Sequence, residues 1–227
     1  MALFRGSHER RRRHGLDRAP EGPVRDFLAV PAPSPRTPLG DLPLLAIDLE
    51  TTGLDAESDR ILSIGFVPVD GREIRLGGAR EIVVRAGSGE GVGDSATVHG
   101  LTDDVVAAGV PLTDALAATL RALEGRVLLA HHAAIETGFL ARACERAFGA
   151  RPLFVAVDTV LLGRELLAPG DEDVPPGRLR LDALRSQFGL PRYRAHNALS
   201  DALACGELYL ALTQELGATR LQQVSVR

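Results

Sequence analysis

Asp48 and Glu50 stand two residues apart in the apolar run Leu44-Leu45-Ala46-Ile47-Asp48-Leu49-Glu50. In a strand, that spacing sends both carboxylates off the same face, because side chains alternate with a period of two. Two acids side by side on a buried strand repel each other and lose hydration, a cost that a bound cation removes. Hard divalent ions such as Mg2+ or Mn2+ are the natural partners of such oxygen ligands. Alone, an Asp-x-Glu pair is better explained as a strand end facing solvent. Two further segments shift that balance. Ala130-His131-His132-Ala133-Ala134-Ile135-Glu136 joins the end of an apolar run to an acid in a helix's first turns. Tyr193-Arg194-Ala195-His196-Asn197-Ala198-Leu199-Ser200-Asp201 sets a histidine five residues before an acid on an amphipathic helix.

Positioning those groups requires a mixed α/β frame. Residues 44–50 read as a buried strand broken at Thr51-Thr52-Gly53, and 61–69 as a second, with Asp70-Gly71 turning into a third. Residues 81–85 continue a hairpin or meander, and 86–95 are Gly-rich and read as loop. Helices and strands then alternate. A helix is expected over 113–123 with Thr113 as its N-cap, a strand at 127–130, a helix at 134–148 and a strand at 154–157. Helices at 159–167, 181–188 and 197–216 complete the chain. A three-strand antiparallel meander followed by α/β crossovers predicts a mixed sheet, with parallel strands added and helices on both faces.

With 227 residues, 45% of them apolar, the chain can hold one well-buried domain. No apolar run is long enough for an ordinary transmembrane helix, so no membrane association is expected. The basic N-terminus lacks the apolar stretch of a secretory signal. Cys144 and Cys205 are spaced unlike zinc ligands or a disulfide framework, and read as reduced core residues of a cytoplasmic protein. The net charge of −4 hides an asymmetry: residues 1–20 carry six Arg against Glu9 and Asp17, which leaves the remainder at −8. Residues 1–40 are therefore expected to form an arm, basic and then Pro-rich, which either stays solvated or meets phosphates or a partner. Its apolar patch at 24–30 is short enough to dock as a small helix. Residues 41–217 then form the folded domain and 218–227 a C-terminal tail.

The three acid-bearing blocks, in this order, resemble those of the DEDD exonuclease superfamily in its histidine-containing (DEDDh) branch. That branch includes the proofreading epsilon subunit of bacterial DNA polymerase III. The resemblance covers about residues 42–212. His99-Gly100-Leu101-Thr102 resembles the family's His-Gly-Ile-Thr element, and Val157-Asp158-Thr159 its Asp-Thr step. It implies a ribonuclease H-like fold and a metal-dependent 3′–5′ exonuclease, acting in the cytoplasm of a bacterium. Such an enzyme releases nucleoside 5′-monophosphates from single-stranded 3′ ends, of DNA in preference to RNA, in proofreading or repair. The resemblance further implies that Asp48, Glu50, Glu136 and Asp201 hold two divalent ions, Mg2+ or Mn2+, and that His196 is the general base. Thr51, Thr52, Gly53 and Leu54 follow the acid strand directly and are substrate candidates, with Leu54 able to wedge beneath a terminal base. His99 and His131 join them, although His131 suits ordering its own loop at least as well.

The second block departs from the family's His-Asn-Ala-x-Phe-Asp: His132 takes the place of Asn and Glu136 that of Asp. The extra methylene of Glu136 leaves ligation possible but moves the carboxylate, which makes metal preference an open question. Three readings stay open at this point: a DNA exonuclease, an exoribonuclease, and a catalytically weakened nucleic-acid-binding module. The blocks do not separate DNA from RNA, since that distinction rests on contacts to the 2′-hydroxyl. The resemblance also raises a DNA polymerase as partner. Gln187-Phe188-Gly189-Leu190 reads as core packing rather than as a clamp-binding peptide.

Overall fold

A computed structural model describes residues 2–85, 103–168, 173–193 and 196–226. Its centre is β1 (Pro43–Thr51), nearly buried throughout, as its apolar sequence requires of a strand covered on both faces. β2 (Ile61–Asp70) runs antiparallel beside it, pairing Asp48 with Gly65 and Glu50 with Ser63. Two short strands, β3 (Glu73–Ile74) and β4 (Arg80–Val83), pair antiparallel with opposite ends of β2. β5 (Val127–Ala130) and β6 (Ala156–Asp158) add in parallel on the far side of β1. The expected mixed sheet is the observed one, in the order β3-β2-β1-β5-β6 with β4 also on β2.

Among the described residues the α-helices are α1 (Ala2–Arg18), α2 (Pro23–Ala29), α3 (Asp103–Ala107), α4 (Leu112–Leu123), α5 (Ala133–Phe148), α6 (Thr159–Leu167), α7 (Leu181–Gln187) and α8 (Ala198–Glu215). α4 starts one residue before the expected position, and Pro111 rather than Thr113 stands at its N-cap. The Pro111 carbonyl accepts the N–H groups of Asp114 and Ala115, so the backbone closes this turn without the threonine hydroxyl. The alternation of β1 divides the core in two. Leu45, Ile47 and Leu49 pack with Leu116, Leu120, Phe139 and Leu140 of α4 and α5. Leu44 and Ala46 pack on the opposite face with Leu162, Leu184, Cys205, Leu208 and Leu212. Cys144 and Cys205 are free thiols, one in each layer. Among the described residues, no helix is long and apolar enough to cross a membrane.

The segment read as an arm forms two helices as far as Ala29, and its apolar patch belongs to the core. Val24, Phe27 and Leu28 of α2 enter the α4–α5 layer, and the Phe27 ring lies 5.5 Å from that of Phe154. Their i, i+3, i+4 spacing is that of a helix face, but the sequence does not reveal the surface that receives it. α1 is tied to α2 by buried Arg12, which donates to the Leu28 carbonyl and pairs with Glu9 at 2.8 Å. At the other terminus Leu221 and Val224 are buried, and Ser225 bridges to Val157. Phe27→Ala should therefore cost about 3 kcal/mol of stability, the range for truncating a buried aromatic. Denaturant unfolding measures it, and a loss below about 1 kcal/mol would mean that α2 is only loosely attached.

Candidate active site

The site lies where the even-numbered residues of β1 emerge from the core. Leu44 and Ala46 are covered by α8, and Asp48 and Glu50 continue their row toward the strand end. Asp201, in the first turn of α8, completes a trio: one carboxylate oxygen from each of Asp48, Glu50 and Asp201 lies within 4.8 Å of the others. Gly65 permits this approach. It sits opposite Asp48 on β2, and a Cβ there would fall 2.1 Å from the carbonyl carbon of Ala198. Glu136, the fourth acid expected from sequence, projects from the first turn of α5 and is only 4% exposed. It is not one of the converging trio, yet its charge acts on Asp48. Its Oε2 is buried and has no hydrogen-bond partner among the described residues.

Both histidine-bearing blocks use left-handed backbone: His132 has φ 77° and His196 φ 65°. Histidine, like asparagine, enters that region more readily than most residues, so His132 takes this backbone at modest cost. Behind it, buried Asp158 accepts the N–H groups of His132 at 3.2 Å and Ala133 at 3.0 Å. The same carboxylate caps α6 through the N–H of Val160 at 2.8 Å, so one acid holds the starts of two helices. His131 is tied into this loop, its Nδ1 lying 2.8 Å from the Thr159 hydroxyl. Burial, with His132 beside it, pushes its pKa down to about 4 and keeps the ring neutral.

His196 is exposed, and its backbone N–H donates to Asp201 Oδ2 at 2.8 Å. Asn197 caps α8, its Oδ1 accepting the N–H of Ser200 at 3.0 Å. The chain leading to this block is pinned by buried Arg185, which donates to the carbonyls of Ala204 and Pro191 and pairs with Glu207 at 2.7 Å. Its guanidinium also lies 4.9 Å from the centre of the Tyr193 ring. The Thr51–Leu54 loop folds around Asp59. Thr52 donates its hydroxyl to Asp59 at 3.1 Å, and a Cβ on Gly53 would fall 2.5 Å from the same carboxylate. Thr51 donates its hydroxyl to the Gly53 carbonyl at 2.5 Å, which leaves Leu54 at the tip, 79% exposed. His99 lies outside the described residues. Gly65, Asp59 and Arg185 carry no spacing signal, because each acts on a segment distant in sequence.

Burial, with like charges nearby for Asp48, Glu50 and Glu136, raises the proton affinity of the acids. Asp48 is held well above the ordinary carboxylate range, first by burial and then by the charges of Glu136, Glu50 and Asp201. Burial, then Asp201 and Glu81, push Glu50 up to about 7. Burial, with the charge of Asp158 adding, pushes Glu136 up to about 8. Asp201 is also raised by burial, but its bond from the His196 N–H opposes the rise. A converging trio plus the buried, unsatisfied oxygen of Glu136 is a donor set that fits hard divalent cations.

Comparison with known proteins identifies the family of the chain. The sequence profile of the RNase T exonuclease family matches residues 45–209. The chain belongs to this family of DEDD exonucleases, phosphodiester hydrolases that use divalent metals. It is 32% identical to the DNA polymerase III epsilon subunit of Treponema pallidum over 171 residues, which cover 74% of each chain. It is 27% identical over 197 residues to the PolC-type DNA polymerase III of Thermotoga maritima, covering 82% of this chain but spanning only 13% of that polymerase. Among solved structures, exonuclease X in complex with 5′-overhanging duplex DNA superposes with a TM-score of 0.59 at 21% identity, over 80% of this chain and 97% of that one. Escherichia coli exonuclease I in complex with a dT13 oligonucleotide gives 0.65 at 16% identity, over 78% and 42%. At such identities the two structures share the fold.

Stability of the metal-free protein should track these acids. Glu50 and Glu136 bind protons more tightly folded than unfolded. The stability they contribute is full below their ordinary value of about 4.5 and is lost as pH rises through about 7 and 8. The thermal midpoint should therefore be lower near pH 8 than near pH 6, and Mn2+ should raise it more at the higher pH. A midpoint indifferent to both pH and Mn2+ across that window would contradict the assignment.

Proposed function

We propose that this chain is a 3′–5′ exonuclease that shortens single-stranded DNA from its 3′ end and releases nucleoside 5′-monophosphates. The observation that carries this reading is the convergence of Asp48, Glu50 and Asp201, with His196 fixed to Asp201 through its own backbone N–H. Asp48, Glu50 and Asp201, with Glu136 behind Asp48, would hold two divalent ions, Mg2+ or Mn2+. When bound, such ions neutralise these carboxylates and stabilise charge on the attacking and leaving oxygens. A ring nitrogen of exposed His196 accepts the proton of the attacking water. Thr51, Thr52 and Gly53 present a rigid turn to the terminal nucleotide, and exposed Leu54 offers an apolar edge to its base. His131, neutral and bonded toward Thr159, orders the second-block loop.

Two things support DNA as substrate: the relatives at 27% and 32% identity are a PolC-type DNA polymerase and a DNA polymerase subunit, and exonuclease I holds a DNA oligonucleotide on this fold. They also support a role in proofreading or repair, with a polymerase as partner.

His196→Ala should lower the release of mononucleotides from a 3′-tailed DNA oligonucleotide by at least about 100-fold, the lower bound for losing such a proton-transfer group, and Asp201→Asn, which removes a carboxylate that would hold metal, should lower it at least as far. Circular dichroism should stay unchanged, and EDTA should stop the wild-type reaction. Variants that degrade the oligonucleotide at the wild-type rate would remove the assignment.

Glu136 bears on metal choice. Its longer side chain departs from the family's aspartate, and octahedral Mg2+ tolerates displaced ligands poorly. The wild-type rate should be higher with Mn2+ than with Mg2+, and Glu136→Asp should narrow that ratio. Equal ratios in the two proteins would show that the extra methylene does not set metal preference.

A further inference from the structure

Asp48 on β1, Gly65 on β2 and Glu81 on β4 form one row across three strands. Gly65 is the notch on which the first turn of α8 rests. From that turn Asp201 joins the acids of β1, while Asn197, the cap just before it, reaches Glu81, whose charge also acts on Glu50. The Nδ2 of Asn197 donates to both oxygens of the Glu81 carboxylate, at 3.0 and 3.1 Å. Its Oδ1 meanwhile accepts from the N–H and the hydroxyl of Ser200, at 3.0 and 2.8 Å. One amide thus closes the first turn of α8 with its oxygen and ties that turn to the sheet with its nitrogen. The neighbouring residue is His196, exposed and in left-handed backbone, with its N–H on Asp201. Glu81 is not among the three acids whose oxygens converge.

Resting on the exonuclease reading above, we propose that Glu81 is a positioning residue. By clamping Asn197 it sets where α8 begins on the sheet, and so where His196 and Asp201 stand relative to Asp48 and Glu50. An exposed histidine next to a helix cap needs such an external tether, because displacements of about 1 Å at a reacting group cost on the order of 100-fold in rate.

A swap of amide and acid tests the clamp. Asn197→Asp keeps a good helix cap but removes the donor and sets two carboxylates against each other. Adding Glu81→Gln restores one donor and one acceptor with the direction reversed. With Mn2+ and a 3′-tailed DNA oligonucleotide, Asn197→Asp should lower kcat by about 10- to 100-fold with little change in KM, and the double variant should regain most of that loss. Amide hydrogen exchange at His196 and Ser200 reads the same contact without turnover: faster in the single variant, slowed again in the double. Wild-type kcat in Asn197→Asp, or a double variant no faster than the single one, overturns the proposal. A wild-type protein that leaves the oligonucleotide intact overturns the exonuclease reading instead. The exchange rates then decide the clamp, and a double variant exchanging as fast as the single one rejects it.

Discussion

Asp48, Glu50 and Asp201 hold their carboxylates close together at the edge of an apolar core, with Glu136 buried nearby. Left to themselves, such groups separate, hydrate or take up protons, and the raised pKa values of all four express that strain. The surrounding fold is what keeps them in place. Apolar residues on both faces of β1 fix its register, and that register sends Asp48 and Glu50 out along the row begun by Leu44 and Ala46. A cation held here would offset both the cost of burying these acids and their mutual repulsion, so the cost in the metal-free protein and any affinity for metal would share one origin.

α8 carries two duties along one helix. Its length, through Cys205, Leu208 and Leu212, is core, and anchors it to the sheet and to α6 and α7. Its first turn carries Asp201 of the candidate site, set down on Gly65 and tied to the sheet through Asn197 and Glu81, while Arg185 holds the helix further along at Ala204 and Glu207. Rigid packing of the greater part gives precision to the exposed end. α5 is built in the same way: Phe139, Leu140 and Cys144 pack beneath the sheet, while its start presents Glu136 and is held by Asp158.

Much of this frame was legible in the chain itself. Strands at 44–50, 61–69 and 127–130, and a helix at 159–167, follow from apolar runs and periodicity strong enough to stand without tertiary help. Less was legible where the outcome turned on a distant partner. Residues 24–28 carry a helical stripe in an otherwise polar, proline-bounded stretch, and only the groove containing Phe154 makes them core. Thr113 had the chemistry of a cap, but the carbonyl of Pro111 closed the turn first.

At the site, the sequence offered the candidate acids and histidine, through residue type, spacings of two and five positions, and the resemblance of three blocks to a known family. It also flagged Glu136 as the departure from the family pattern. Only the tertiary structure decided how those groups divide, into a trio within 4.8 Å and a fourth, buried acid whose charge acts on Asp48. It alone revealed the supports: Gly65 beneath α8, Asp158 joining two helix starts, and Glu81 reaching Asn197 across 116 positions of chain. The physical reason is that repulsion and hydrogen bonding act over a few ångströms in space, whatever the separation along the backbone. Local pattern encodes the elements, and their packing determines which charges meet.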